Sequence, residues 1–269
     1  NAVLISEADY EAWQTTRIDV AKLEALAAES LTADHAQKAW RRDEVIDTGR
    51  PLPLTDCYVA PCVSACAIHQ DVPEYIRLLA DGRYADALEV IYRNNALPAI
   101  TGHICDHQCQ SNCTRLDYDG PLRIRDLKKL ALEQGWTEYR RRWHKPAGSG
   151  SRHPVAVIGM GPAGLSAGYF LARAGHAVTL FEREASAGGV CGHIVPRCRL
   201  PEALVRHDIG FVAEHGVKFE YGCDPALTVD ELQAQGFEYV LVGIGADKSN
   251  VMAWEGGDAR VHRALDFLR

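Results

Sequence analysis

Apolar and polar positions alternate with helical spacing over the first half of the chain and then switch to short β-branched runs. In the first 50 residues Val20, Leu23, Leu26 and Ala27 fall on one helix face, and a more polar helix is expected over Ala33 to Asp47. Farther on, Asp71 caps a helix with Pro73 in its first turn, Tyr75, Ile76, Leu78 and Leu79 give it an apolar face, and Gly82 ends it. A second helix from Tyr84 to about Asn94 completes a helical hairpin, and another is expected from Ile124 to Gln134, stopped by Gly135. The pattern then changes. VAVIGMGPAGLSAGYFLARAGHAVTLFERE, which begins at Val155, reads as strand, glycine turn, helix, glycine stop and second strand. Pro201 to His215 reads as a helix, Val217 to Tyr221 as a strand, Thr228 as the cap of a short acidic helix, and Tyr239 to Ile244 as a buried strand that ends in Gly245 and Ala246.

Between the two patterns lies KPAGSGSRHP, Lys145 to Pro154, whose Gly, Ser and Pro content marks a connector. The expected organisation is a helical domain over 1–144, with an arm over 1–50, a linker over 145–154 and the first part of an α/β Rossmann-like domain over 155–269. The chain has 269 residues, enough for about two domains, and 47% hydrophobic residues, enough for ordinary cores. It lacks an initiator Met and is expected to be a piece of a larger protein.

Charge and the remaining composition narrow the chemistry. A net charge of −7 argues against a nucleic-acid surface, and the one basic knot, Arg140 to Lys145, fits a solvated helix end. No apolar run reaches the length of a membrane span, and the start shows no secretory signal, so the expected compartment is the cytoplasm. In a reducing compartment clustered thiols stay available for metal. Six of the nine cysteines form two tight groups: Cys57, Cys62 and Cys66, then Cys105, Cys109 and Cys113. Thiolates at such intervals can converge on a soft metal centre, and the helical hairpin between the groups folds them together.

The second chemical feature is Gly159, Gly161 and Gly164 in G-x-G-x-x-G register, with Glu182 at the end of the following strand. Gly159 permits the tight turn, Gly161 lets the backbone approach a pyrophosphate, and Gly164 lets helix and strand pack closely. The helix N-terminus then offers unpaired N–H groups to phosphates, and Glu182 can accept from a ribose hydroxyl. FAD and NAD present the same adenosine and pyrophosphate to such a unit.

On these residues the chain resembles the flavin and iron-sulfur oxidoreductases that include the glutamate synthase small subunit and the N-terminal part of dihydropyrimidine dehydrogenase. Within that group it is most similar to the flavin and iron-sulfur subunits of the selenate reductase type. The segments that carry the resemblance are CYVAPCVSACAIHQDVPEYI, LPAITGHICDHQCQSNCTR, GMGPAG with Glu182, GGVCGHIVPRCRLP and VLVGIGA. It implies an all-α iron-sulfur domain followed by an incomplete FAD/NAD(P)-binding Rossmann-like domain. It further implies two 4Fe-4S clusters, one on Cys57, Cys62 and Cys113 and the other on Cys66, Cys105 and Cys109. The implied FAD contacts are Gly159, Gly161, Pro162, Ala163, Gly164, Glu182 and Arg183, then Gly188, Gly189, Val190, Arg199 and Ala246. Two positions depart from the pattern: Leu54 stands where relatives often carry a further cysteine, and Lys128 where they carry a Gln or Glu that completes the second cluster. Asp56, His69, His103 and His107 are the nearby candidates for a fourth ligand.

The expected function is an electron-transfer module, in which FAD reduced by NAD(P)H in the complete protein exchanges electrons with the clusters. The expected partners are other domains or subunits of a redox complex, with neither nucleic acid nor membrane. No acid, base or nucleophile is assigned, and Cys191 and Cys198 are read as packing residues near the flavin edge. The alternative is a zinc-stabilised docking module, with one zinc on Cys57, Cys62, Cys66 and His69 and another on Cys105, Cys109, Cys113 and a nearby His.

Overall fold

The computed structural model describes residues 59–117, 119–144 and 153–246, with isolated positions at 25, 267 and 268. The helices expected in the arm, Leu54, Asp56, Cys57 and the connector over 145–152 lie outside the described residues.

The helical half consists of α1 (Pro61–Ser64), α2 (Val72–Ala80), α3 (Tyr84–Asn94), α4 (Pro98–Ile104), α5 (Gln108–Ser111) and α6 (Ile124–Arg142), with a 3-10 turn at Thr114–Asp117. Asp71 caps α2 by accepting from the Glu74 N–H at 3.2 Å, and Gly82 ends it with a φ of +72°. The α2–α3 hairpin buries Tyr75, Leu78, Leu79, Val90 and Ile91 against Ile124 and Ala131 of α6. One expectation fails here: Gly135 does not stop the third helix, which runs seven residues past it to Arg142. A Cβ at Gly135 would lie 2.5 Å from the Tyr84 carbonyl oxygen, so this glycine lets the start of α3 touch the α6 backbone. Its helix-propensity penalty, about 1 kcal/mol, is offset by that packing.

The second half is a parallel sheet in the order β3-β2-β1-β4, formed by β1 (Pro154–Ile158), β2 (Ala177–Glu182), β3 (Lys218–Tyr221) and β4 (Tyr239–Val242). Its helices are α7 (Pro162–Ala174), α8 (Gly189–His193), α9 (Glu202–Glu214) and α10 (Val229–Ala234). Gly175 ends α7 at φ +90°, and Thr228 and Glu231 form a capping box at α10. β4 was expected to be buried and is not: Tyr239 is 57% and Val242 55% exposed. A run such as YVLV reads as a covered parallel strand, but among the described residues β4 is an edge strand that pairs only with β1. Among the described residues no helix is long and apolar enough to cross a membrane.

The two halves share one hydrophobic core. Tyr92 of α3 stacks on Tyr139 of α6 at 5.1 Å and lies 4.9 Å from Phe211 of α9, while Trp136 and Trp143 meet Phe211 edge-on, each at 5.2 Å. The Tyr169 hydroxyl of α7 donates to the Tyr92 carbonyl at 3.1 Å, and Arg173 donates to the same oxygen at 2.7 Å. Each such aromatic pair contributes about 1 kcal/mol beyond area burial. The core therefore runs across the connector, and the composition shift at 145–154 does not separate it.

Candidate functional site

The cysteines are placed by short elements. Cys62 lies in α1 and Cys66 just after it; Cys105 caps the C-terminus of α4, Cys109 lies in α5, and Cys113 follows α5. Cys109 and Cys113 are buried, whereas Cys62, Cys66 and Cys105 are half-buried. Two turns hold the loops in left-handed conformations that non-glycine residues seldom adopt: His69 at φ +46° and His107 at φ +51°. The His107 N–H donates to the Cys105 sulfur at 3.3 Å, and Arg125 donates to the Cys105 carbonyl at 3.0 Å. Asn94 donates to the carbonyls of Ile68 and His69 at 3.1 and 3.0 Å, which ties the first cysteine loop to α3.

The thiols associate across the two sequence groups. Burial pushes the Cys62 thiol up, and the cysteine whose charge adds to that is Cys113. Burial raises Cys109 to about 11, with Cys105 and Cys66 adding and Lys128 opposing. Tyr75, 1% exposed, faces both sets and is pushed far above its ordinary value by burial and then by Cys109, Cys66, Cys62 and Cys105. The zinc alternative keeps each sequence group together, whereas Cys62 feels Cys113 and Cys109 feels Cys66, each from the other group. Among the described residues no three His, Cys, Asp or Glu side chains gather as tightly as a single metal ion requires. Soft thiolates are the donors that an iron-sulfur cluster takes, so the donor set fits that group. Of the candidate fourth ligands, His69 Nδ1 lies 3.3 Å from the Val63 carbonyl and His103 Nδ1 2.9 Å from that of Ala99, while His107 Nδ1 is buried without a partner.

On the other half, a cleft of about 620 Å³ opens at the carboxyl ends of β1, β2 and β4. Gly159, Gly161, Pro162, Ala163, Glu182, Arg183, Gly189, Val190 and Ala246 line it, and so do Glu184, His193, Cys223 and Asp224, which the sequence did not single out. Gly164, Gly188 and Arg199 do not line it. A Cβ at Gly164 would fall 1.9 Å from the Gly159 carbonyl oxygen, and the Gly188 N–H donates to the Met160 carbonyl at 2.8 Å, so both shape the turn from behind. Arg199 is exposed in the turn before α9. Cys191 is buried, as expected of a packing residue, but Cys198 is exposed.

Gly161 differs from its neighbours. Its φ of −76° suits any residue, and the nearest atom to a Cβ there, the Gly189 Cα, is 3.9 Å away. Among the described residues no neighbouring atom demands a glycine at that point. A Cβ would instead project into a cradle at the start of α7, whose N-cap carries no side-chain hydrogen bond, and that is what a pyrophosphate needs left open. Glu182, 8% exposed, accepts from the Met160 N–H at 2.8 Å and the Glu184 N–H at 3.1 Å. It thereby fastens the end of β2 to the glycine turn, and each oxygen keeps a lone pair for a further donor.

A buried carboxylate also joins the two halves. Asp208 of α9, 0% exposed, accepts from the Ala99 N–H at 3.2 Å and the Ile100 N–H at 2.8 Å, at the first turn of α4. The opposite end of α4 is Cys105.

Cysteines on short helical elements, packed against a parallel sheet with a glycine turn, are what an iron-sulfur domain followed by a Rossmann-like domain presents. The family described as the 4Fe-4S cluster domain II of dihydropyrimidine dehydrogenase matches residues 38–139, and the NAD(P)-binding Rossmann-like family matches residues 157–222. The chain is similar to oxidoreductases of the glutamate synthase small-chain and dihydropyrimidine dehydrogenase type. It is 66% identical over 259 residues to YgfK of Escherichia coli, a protein named as an oxidoreductase, covering 96% of this chain and 25% of that one. The glutamate synthase (NADPH) small chain of Bacillus subtilis is 32% identical over 88% of this chain and 49% of its own length. The beta subunit of the NADPH-Fe(3+) oxidoreductase of Geobacter sulfurreducens is 33% identical over 80% of this chain and 33% of its own. The chain thus spans between a quarter and a half of these relatives.

Proposed function

We propose that this chain is the electron-transfer part of an NAD(P)H-dependent oxidoreductase, holding FAD at the Gly159–Gly164 turn and two 4Fe-4S clusters on the crossed cysteines. Cys57, Cys62 and Cys113 hold one cluster, and Cys66, Cys105 and Cys109 the other. When bound, flavin exchanges one or two electrons and a cluster exchanges one, which lets a hydride donor feed a one-electron path. The protein's residues supply position. The observation that carries this reading is α4: it begins on the Asp208 carboxylate of the dinucleotide half and ends at Cys105 of the cluster half. Seven helical residues span about 10 Å, so one short rigid element fixes a cluster ligand relative to the α/β half.

On the dinucleotide side, Gly161 leaves room for the pyrophosphate and the N-terminus of α7 faces it. Glu182 and Arg183 lie at the adenosine end, with Gly189, Val190 and Ala246 along the cleft. Gly164, Gly188 and Arg199 act from outside it, the first two by shaping the turn. The complete protein brings the NAD(P)H site and the further domains or subunits of a redox complex, and it works in the cytoplasm.

The test is anaerobic purification followed by a visible spectrum with iron, zinc, sulfide and flavin analysis. The expected result is a brown protein with about eight iron and eight acid-labile sulfide per chain, the content of two 4Fe-4S clusters. Stoichiometric zinc without sulfide after reconstitution overturns the reading in favour of a docking module.

A further inference from the structure

The two sets of thiols have the same donor chemistry and different electrostatic surroundings. Beside Cys66, Cys105 and Cys109 lies Lys128 of α6, 5% exposed, the one lysine or arginine among the buried described residues. Arg125, one helical turn earlier on the same helix, is held to the Cys105 carbonyl, and its own N–H donates to Gln110 Oε1 at 3.1 Å. These contacts fix the face of α6 that looks toward α4 and α5. Burial works against the Lys128 ammonium and pulls its pKa down, and Arg125 adds to that; the anions that oppose it, and so face Lys128, are Cys105, Cys66 and Cys109. Around Cys62 and Cys113 the balance is reversed. Asp71 is the carboxylate that faces Cys62, and Arg115, which faces Cys113, is exposed and ion-paired with Asp119.

Building on the two-cluster reading above, we infer that Lys128 is the charge partner of the cluster framed by Cys66, Cys105 and Cys109 and makes it the more readily reduced of the two. Reduction adds one negative charge. A buried cation stabilises that charge in a low-dielectric site, whereas a carboxylate opposes it. One electron lost by the cluster beside Cys62 and Cys113 is the one electron gained beside Lys128, and no proton or ligand has to move. A charged lysine has no lone pair to give iron, so Lys128 contributes charge and not a ligand atom. The difference between the clusters gives the path a downhill step inside the helical half.

The experiment uses the anaerobically purified, cluster-loaded full-length protein and its Lys128→Met, Lys128→Gln and Lys128→Arg variants. Iron and sulfide are assayed first, and each cluster's midpoint potential is then read by a redox titration followed by electron paramagnetic resonance. The expected result is one signal moved to more negative potential in Lys128→Met and Lys128→Gln, the other unmoved, and both near parental in Lys128→Arg. Parental potentials for both signals in Lys128→Met, or an equal shift of both, overturn the inference and leave the two-cluster reading intact. If Lys128→Met loses iron, Lys128→Arg decides: parental iron and potentials support the charge role, and loss of either refutes it. Absence of iron and sulfide from the parent sinks the two-cluster reading itself, before any variant is compared.

Discussion

The helical half of the molecule is organised by side chains that are present, and the sheet half by side chains that are missing. Thiols, an ammonium and a guanidinium set the geometry around Cys105. At the nucleotide cleft the decisive positions are Gly159, Gly161, Gly164 and Gly189, where what counts is the backbone or ligand that comes near. The contrast shows that a glycine motif mixes two roles. Gly164 is required by the protein's own Gly159 carbonyl, whereas Gly161 is required by no neighbouring atom among the described residues.

Gly164→Val tests that division most severely. Its Cβ cannot be placed without displacing the Gly159 turn, so unfolding by urea is expected to show a loss of at least about 3 kcal/mol. Because the core is shared, hydrogen exchange is expected to quicken in α3 and α6 as well as in β1 and α7. Protection that stays parental in α3 and α6 would show that the halves are independent.

Next in size is Asp208→Ala, which leaves the Ala99 and Ile100 N–H groups buried and unpaired and is expected to cost about 2–3 kcal/mol. The milder Asp208→Asn exposes a pH dependence. Burial raises the Asp208 carboxyl above its ordinary value, so the folded state holds that proton more tightly than the unfolded chain. The stabilisation from this linkage is complete below the ordinary carboxylate value and is lost as pH rises through the raised one. Parent stability is therefore expected to fall relative to Asp208→Asn over that window; parallel curves would show that the carboxyl titrates no differently in the two states.

Gly161→Ala sharpens the comparison from the other side. Stability is expected to change by less than about 0.5 kcal/mol, since the new methyl group meets nothing closer than 3.9 Å. Flavin titration is expected to show binding weakened at least about tenfold, because the methyl group stands where the pyrophosphate approaches. Unchanged flavin affinity would place the dinucleotide elsewhere. The smallest effect belongs to Arg140→Ala, which removes a surface ion pair to Glu214 at 2.5 Å between the halves. Both side chains are well exposed, so the expected loss is about 0.5 kcal/mol or less, and smaller still in high salt.

The features legible from sequence were those decided locally. The Asp71 cap, the Tyr84–Asn94 helix and the glycine turn with Glu182 each rest on neighbours within a few positions or on a fixed motif length. Gly135 was misread because a glycine that ends a helix and one that admits a crossing backbone look the same until the Tyr84 carbonyl is seen beside it. The burial of β4 was misjudged because an apolar run does not say whether a strand lies inside a sheet or at its edge. α4 and Asp208 were not anticipated: a seven-residue helix is too short to show a periodic pattern, and an acid within α9 carries no mark of the helix terminus it will cap.

The shared aromatic core has a practical consequence for anyone handling the protein. Arg152 lies in the connector and is followed by His153, a bond that trypsin cuts, whereas Lys145 is followed by Pro146, a bond that trypsin spares. A chain cut after Arg152 keeps Tyr92, Tyr139, Phe211 and Tyr169 in one cluster and Asp208 on the start of α4. The two fragments are expected to migrate together through a sizing column and to part only in denaturant, so two bands on a denaturing gel would be no evidence of two separable domains.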